Sequence, residues 1–319
     1  MERSYLYPNE NNMTSINPYV KSKKAFSLLL RYSQQLDFKN SLILAEEMVR
    51  LFQLALKRKR DLKILEPGIG YGRIALPLAI TGHPYNFAIY GFDNSRYMIE
   101  ELERRIENLP LQMKEKIQGK LVYQILDAEG KWPYPEQFFD VIILSYILHY
   151  LSDWRIFLDK CDFHSKECIA FLREIFPFNF WMSGEFPQIP FPEDQKILHN
   201  FWLHYYELKS KLEKNHKKPE ISPLNYQNAI DYLLSSKGYK VSCHKINLPL
   251  ERRIKFSEIL QWIKYGAFTP LRTGLNQPQR LALYKEMKEW VIKENVSIIK
   301  DEPIVIKRGE FELCLCVKS

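Results

Sequence analysis

Four stretches of the chain hold residues whose types and spacing suit ligand chemistry. In LEPGIGYGR, Glu66 is followed at once by Gly68, Gly70 and Gly72; Asp93 and Asn94 sit in GFDNSR, Asp127 and Ala128 in LDAEG, and Ser145, Tyr146 and His149 in LSYILHY. A carboxylate offers only acceptors, so each of the three acids can satisfy hydroxyl or amine donors of a bound molecule. Glycines let the backbone turn sharply and approach that molecule, and a helix starting just after them would present free N–H groups. The neutral imidazole of His149 can accept a proton near pH 7. Each group also has a purely structural reading. The glycines would make a tight connection, Asp93 or Ser95 would cap a helix, Asp127 would be an ordinary loop aspartate, and His149 would pack in a wall.

All four stretches end a strand-like run. Apolar segments bounded by turn residues predict strands at 63–66, 87–93, 121–126, 140–145 and 167–173, alternating with helical patterns, which implies a parallel sheet with right-handed crossovers. Two helices are predicted upstream, one around Ala25–Leu29 and one through Leu44, Met48, Leu51, Phe52, Ala55 and Leu56. The rhythm breaks after Arg173 and resumes in NYQNAIDYLLSSKGYKVSCHKINL, a helix closed by Gly238 and followed by a strand. It breaks again over 250–309, where two helical patterns occur, and closes with the strand FELCLCVKS.

The order of these stretches resembles the class I S-adenosylmethionine (SAM)-dependent methyltransferases, whose first motif is an acid, a spacer and GxGxG at a strand-to-helix turn; GxGxxG would instead mark a dinucleotide site. The resemblance covers roughly Leu62 to Trp154. It implies a doubly wound seven-stranded α/β sheet with the last strand antiparallel, carrying a helical cap and insertions. It also implies the cofactor S-adenosyl-L-methionine and the product S-adenosylhomocysteine. By resemblance, Glu66 orients the amino-acid end of SAM, and Gly68, Gly70 and Gly72 pack against its methionine and ribose. Asp93, with Asn94 beside it, takes the ribose hydroxyls, and Asp127 and Ala128 meet the adenine. The backbone at Ser145 and Tyr146 lies next to the transferred methyl, and His149 is the candidate catalytic base. Because the sulfonium leaving group needs no proton, positioning and exclusion of water can supply much of the rate without a base.

The expected organisation is an N-terminal helical cap at 1–60 and a SAM-binding domain at 61–319, with insertions at about 175–224 and 250–309 forming a lid over the acceptor. The first insertion is rich in aromatic residues, among them Trp181, Phe201, Trp202, Tyr205 and Tyr206. The second, with Trp262 and Arg272, loosely resembles the insert of methyltransferases acting on small carboxylic acids such as trans-aconitate. Arg173, Trp181, Trp262 and Arg272 are therefore candidate acceptor contacts. The leading reading is methylation of an O or N atom of a small molecule. The alternatives are methylation of RNA or a protein, and a non-catalytic SAM-binding module.

Composition narrows the classes further. A net charge of +8 permits an anionic partner without requiring one, and its short runs, KSKK and KRKR, suit solvated helix ends better than a nucleic-acid groove. No apolar run is long enough to cross a bilayer and the N-terminus lacks a basic-then-apolar leader, so a cytoplasmic protein is expected. The five cysteines lack paired CxxC spacing, so reduced thiols and no metal site are expected, with Cys314 and Cys316 on one face of a strand.

Overall fold

The computed structural model describes residues 27–28, 38–58, 60–176, 196–212, 226–249, 252–266, 275–294, 304–306 and 309–319. After helix α1 (Phe38–Ala55), strands β1 (Lys63–Pro67), β2 (Ala88–Asp93), β3 (Leu121–Ile125), β4 (Phe139–Ser145) and β5 (Ser165–Phe176) appear in turn. Between them lie α2 (Ala75–Thr81), α3 (Arg96–Glu107), α4 (Leu111–Ile117) and α5 (Trp154–His164). Then come α6 (Lys196–Leu212), α7 (Gln227–Lys237), β6 (Tyr239–Leu248), β7 (Arg252–Ile254), α8 (Phe256–Tyr265), α9 (Gln277–Lys293), β8 (Ile304–Ile306) and β9 (Gly309–Lys318).

Seven strands form one sheet in the order β3-β2-β1-β4-β5-β9-β6. The expected strands are all present, within three residues of their predicted ends. Strands β1 to β5 run parallel, and β9 enters antiparallel between β5 and β6. Because β6 is antiparallel to β9, it runs with the first five. This order sets the position of everything functional. The carboxyl ends of β1 to β6 and the amino end of β9 share one edge, so both insertions, after β5 and between β6 and β9, leave the sheet on that edge.

The sheet is covered on both faces, as a parallel sheet must be. One face carries Ile64, Ile89, Val141, Ile143, Ala170, Leu172, Leu313 and Leu315 against α1 and α2, with Leu44, Met48 and Phe52 of α1 fully or nearly fully buried. The helix expected to belong to an N-terminal cap thus packs into the core of the sheet. The opposite face carries Leu65, Phe92, Ile142, Leu144, Ile169 and Phe171 against Trp154, Phe157 and Leu158 of α5 and Ala229, Ile230 and Leu233 of α7. A separate core joins α6, α8 and α9 through Phe201, Trp202, Tyr205, Ile259, Trp262, Leu283 and Met287. It is fastened by Gln279, whose side chain donates to the Leu212 carbonyl at 3.0 Å.

Two features depart from expectation. The stretch 250–309 contains a two-stranded antiparallel ribbon, β7 with β8, besides its two helices. Three-residue strands carry too little periodicity to stand out. The cysteines are also not all reduced: Cys243 of edge strand β6 and its register partner Cys314 of β9 form a disulfide. Cys314 and Cys316 do share a face, and Cys161, Cys168 and Cys316 are buried thiols. Burial pushes Cys316 up to about 12 and the other two well above the usual range. Among the described residues no helix is long and apolar enough to cross a membrane.

Candidate active site at the carboxyl edge of the sheet

The glycine turn after β1 is docked onto the end of β2. The amides of Gly68 and Ile69 both donate to the Phe92 carbonyl, at 2.8 and 3.0 Å. Asp93 completes the dock, accepting from Gly70 N–H at 3.0 Å through one oxygen and from Ser95 N–H at 2.8 Å through the other. Gly70 has φ +56°, and a Cβ there would find nothing nearer than the Met98 sulfur at 3.8 Å. The glycine is therefore needed for its left-handed backbone rather than for lack of room, and it stands directly beside Asp93. Gly72 is glycine for another reason: at φ +72° a Cβ would lie 2.5 Å from Leu102 Cδ1, so it serves helix packing.

Glu66, at the end of β1, is 3% exposed and accepts from Ala75 N–H at 3.0 Å. That bond corrects the expectation of free helix N–H groups after the glycines. Helix α2 begins only at Ala75 and its first amide belongs to Glu66. Among the described residues neither Glu66 nor Asp93 forms an ion pair. Burial pushes Glu66 up to about 8, against the pull of Arg73, and Asp93 up to about 6 against its two backbone donors. Among the described residues both buried acids are held by backbone amides on either side of the glycine turn, and each keeps lone pairs able to accept a hydroxyl or ammonium donor. The donor and acceptor chemistry of SAM, with its ribose hydroxyls and amino group, fits them.

The other predicted cofactor positions gather on the same edge. Asn94 is half-buried beside Asp93. Asp127 takes Glu129 N–H at 3.0 Å in an Asx turn. The neighbouring carbonyls of Ala128, Glu129 and Gly130 all accept from Lys160 Nζ, at 3.2, 2.9 and 2.7 Å. Glu129 in turn accepts from Ser152 N–H at 2.8 Å, tying the β3 exit to the β4 exit. Ser145 ends β4 half-buried, and Ile147 lies against Gly68, where a Cβ would be 3.0 Å from its Cδ1. His149 sits on the same exit loop in a single turn, Leu148–Tyr150, with its ring 4.0 Å from that of Tyr150.

Tyr146 is the unusual residue of that loop, with φ +57°. A left-handed conformation costs a non-glycine residue about 1–2 kcal/mol, close to the net worth of one hydrogen bond, about 1 kcal/mol. Two hydrogen bonds hold it. Its amide donates to Tyr226 Oη at 2.9 Å, and its own hydroxyl accepts from Glu174 N–H at 2.8 Å. The Arg73 guanidinium lies 5.8 Å from its ring and 3.4 Å from Glu174, a residue only 1% exposed. Burial pushes both phenols well above the usual tyrosine range.

Arg73, Glu174 and Tyr226 thus join the site, and only partly through sequence signals. Arg73 directly follows the last glycine of a motif that also holds a buried acid, a local clue. Tyr226 lies 80 residues from its partner, and nothing local announces it. Arg173 is half-buried and engaged by Glu312, its cross-strand partner, at 2.7 Å. Trp262 is 3% exposed within the core of α6, α8 and α9. Trp181 and Arg272 lie outside the described residues. Among those residues no group of three or more His, Cys, Asp or Glu could hold a metal ion.

Residues 65–166 match the model of a family described as a methyltransferase domain. No curated relative matches the sequence. Among solved structures, the chain is similar to the plantazolicin methyltransferase BpumL in complex with SAH at 14% identity, covering 94% of this chain and 93% of that one, with a TM-score of 0.48. It is similar to the YcgJ protein of Bacillus subtilis at 17% identity, covering 87% and 97%, with a TM-score of 0.44. A SAM-dependent methyltransferase from Aquifex aeolicus is similar at 15% identity, covering 66% and 82%, with a TM-score of 0.39. The matched span begins one residue before Glu66 and contains the glycine turn, Asp93, Asp127 and the β4 exit. Residues 65–166 therefore match a methyltransferase domain, a class of domain whose cofactor is S-adenosylmethionine, within a sheet of the class I methyltransferase strand order.

Proposed function

We propose that this enzyme methylates an O or N atom of a small molecule held between the carboxyl edge of the sheet and the helices α6, α8 and α9. The observation that carries the reading is the pair of buried acids, Glu66 and Asp93, on either side of the glycine turn. In it, Glu66 orients the amino end of the cofactor, Asp93 and Asn94 take the ribose, and Asp127 and Ala128 meet the adenine. Ser145 and Tyr146 line the reactive end. When bound, SAM supplies an electrophilic methyl on a cationic sulfonium, and the protein's task is to align the acceptor and exclude water. His149, on the same loop, is the candidate base for an acceptor that must lose a proton.

A small acceptor is favoured over RNA because Asp127 and Glu129, half-buried acids of this edge, oppose a phosphodiester backbone. The two insertions emerge on this edge, and α6, α8 and α9 bring an aromatic core of their own. Titration calorimetry with SAM and S-adenosylhomocysteine, followed by turnover screens of small molecules against RNA and protein acceptors, tests both levels. Saturable cofactor binding and salt-insensitive turnover of a small molecule are expected. Turnover only of RNA, lost steeply with salt, would replace the acceptor reading.

A further inference from the structure

We propose that Tyr226 is a positioning residue for the reactive end of the cofactor site, acting through the backbone of Tyr146. The inference rests on the cofactor reading above and adds a residue to it from outside the matched domain. Tyr146 follows β4 directly, in a left-handed conformation that its side chain does not favour. Its amide has one acceptor, the Tyr226 hydroxyl at 2.9 Å, while its own hydroxyl is fixed by the Glu174 amide at 2.8 Å. The next residue, Ile147, packs directly on Gly68 of the cofactor turn. A change at Tyr146 therefore reaches the methionine side of the site before it reaches the ribose or adenine side, which Asp93 and the β3 exit build independently.

Tyr226 is suited to act at this distance. It is 2% exposed, its ring packs 5.8 Å from Phe171 of β5, and its carbonyl accepts from Ile230 N–H at 2.9 Å to start α7. The residue is thus anchored whether or not its hydroxyl is used, and removing that hydroxyl isolates one function. Tyr226 is also the residue where the chain returns from the first insertion to the sheet. The same hydrogen bond consequently links that insertion to the methyl-transfer turn.

The test is Tyr226→Phe, which keeps the ring, read by ligand binding and by amide hydrogen exchange. S-Adenosylhomocysteine reports the methionine end, and adenosine, which lacks it, reports the rest. The expected result is a five- to tenfold loss of S-adenosylhomocysteine affinity with adenosine affinity unchanged, and at least tenfold faster exchange at Tyr146. Equal losses for both ligands with a lowered melting temperature would mean a structural role and overturn the proposal, as would unchanged binding and exchange. If wild type binds neither ligand, the cofactor reading itself fails and the proposal with it. Should the variant not fold, wild-type exchange decides: a Tyr146 amide exchanging as fast as an open loop overturns the hydrogen bond, and strong protection supports it.

Discussion

Asp140 at the amino edge of the sheet and the pair Glu66 and Asp93 at its carboxyl edge are buried acids held in different ways. At the amino edge, Asp140 of β4 is 4% exposed and is neutralised by Arg58 at 2.9 Å, while also accepting from Lys63 N–H at 2.7 Å. The same guanidinium reaches Glu167 of β5 at 2.9 Å. At the carboxyl edge, Glu66 and Asp93 are also buried but among the described residues hold only backbone donors, while Glu174 there has Arg73 at 3.4 Å. The chain gives Asp140 a cation, whereas in the proposed function Glu66 and Asp93 keep their remaining acceptors for the ligand. The KRKR run, which reads as a solvated helix end, thus contributes a residue that locks the foundation of the sheet.

Breaking the carboxyl end should cost binding more than it costs the fold. Asp93→Asn keeps the shape, but its amide has one oxygen where Asp93 uses both, for the N–H groups of Gly70 and Ser95, so one backbone hydrogen bond is lost and the melting temperature should fall by about 3 °C. It removes an ionised acceptor for two hydroxyls, and S-adenosylhomocysteine affinity should fall by about 100-fold, the worth of two charge-assisted hydrogen bonds. Calorimetry beside thermal melting checks this. A large drop in melting temperature with binding intact would reverse the proposed division between the two edges.

Breaking the amino end should do the opposite. Arg58→Ala leaves Asp140 buried without its main cation. Because Arg58 is one-third exposed and partly screened, the cost should be about 2 kcal/mol rather than the full penalty of a severed buried pair. That corresponds to a fall of about 5 °C in melting temperature for a chain this size. Cofactor affinity should hold constant at temperatures where the variant stays folded.

The difference between the edges also explains what the sequence discloses. The carboxyl edge is legible because its devices are local: acid, glycines and strand end lie within eight residues at Glu66–Arg73, and each of Asp93, Asp127 and Ser145 follows an apolar run. The strands follow from the same runs, and the antiparallel last strand from the resemblance to the class I methyltransferases. What escapes is whatever depends on distant pairing. The Tyr226–Tyr146 bond, the Arg58–Asp140 pair and the Cys243–Cys314 bridge each join residues that only the folded register brings together. The placement of α1 on the sheet face escapes for a related reason: an amphipathic stripe says that a helix is covered but not by which surface.

The finest probe of the two edges is pH. Glu66 has its folded value raised to about 8 from an ordinary 4.5, so between those values the folded protein holds a proton that the unfolded chain has lost. Stability of the unliganded protein must therefore fall as pH rises through this window, by at most about 1.4 kcal/mol per unit from this group. Asp93 adds a smaller decline that ends near 6. In Glu66→Gln the part of the slope above pH 6 should vanish, leaving the variant more stable than wild type at pH 8 when no ligand is present. Binding of a cation favours the ionised acid, so wild-type affinity for SAM should rise from pH 6.5 to 8.5. S-Adenosylhomocysteine lacks the sulfonium charge and should show a shallower rise, and Glu66→Gln should flatten both. A SAM profile that stays steep in Glu66→Gln would move the titrating group away from β1 and with it the role assigned to this carboxylate.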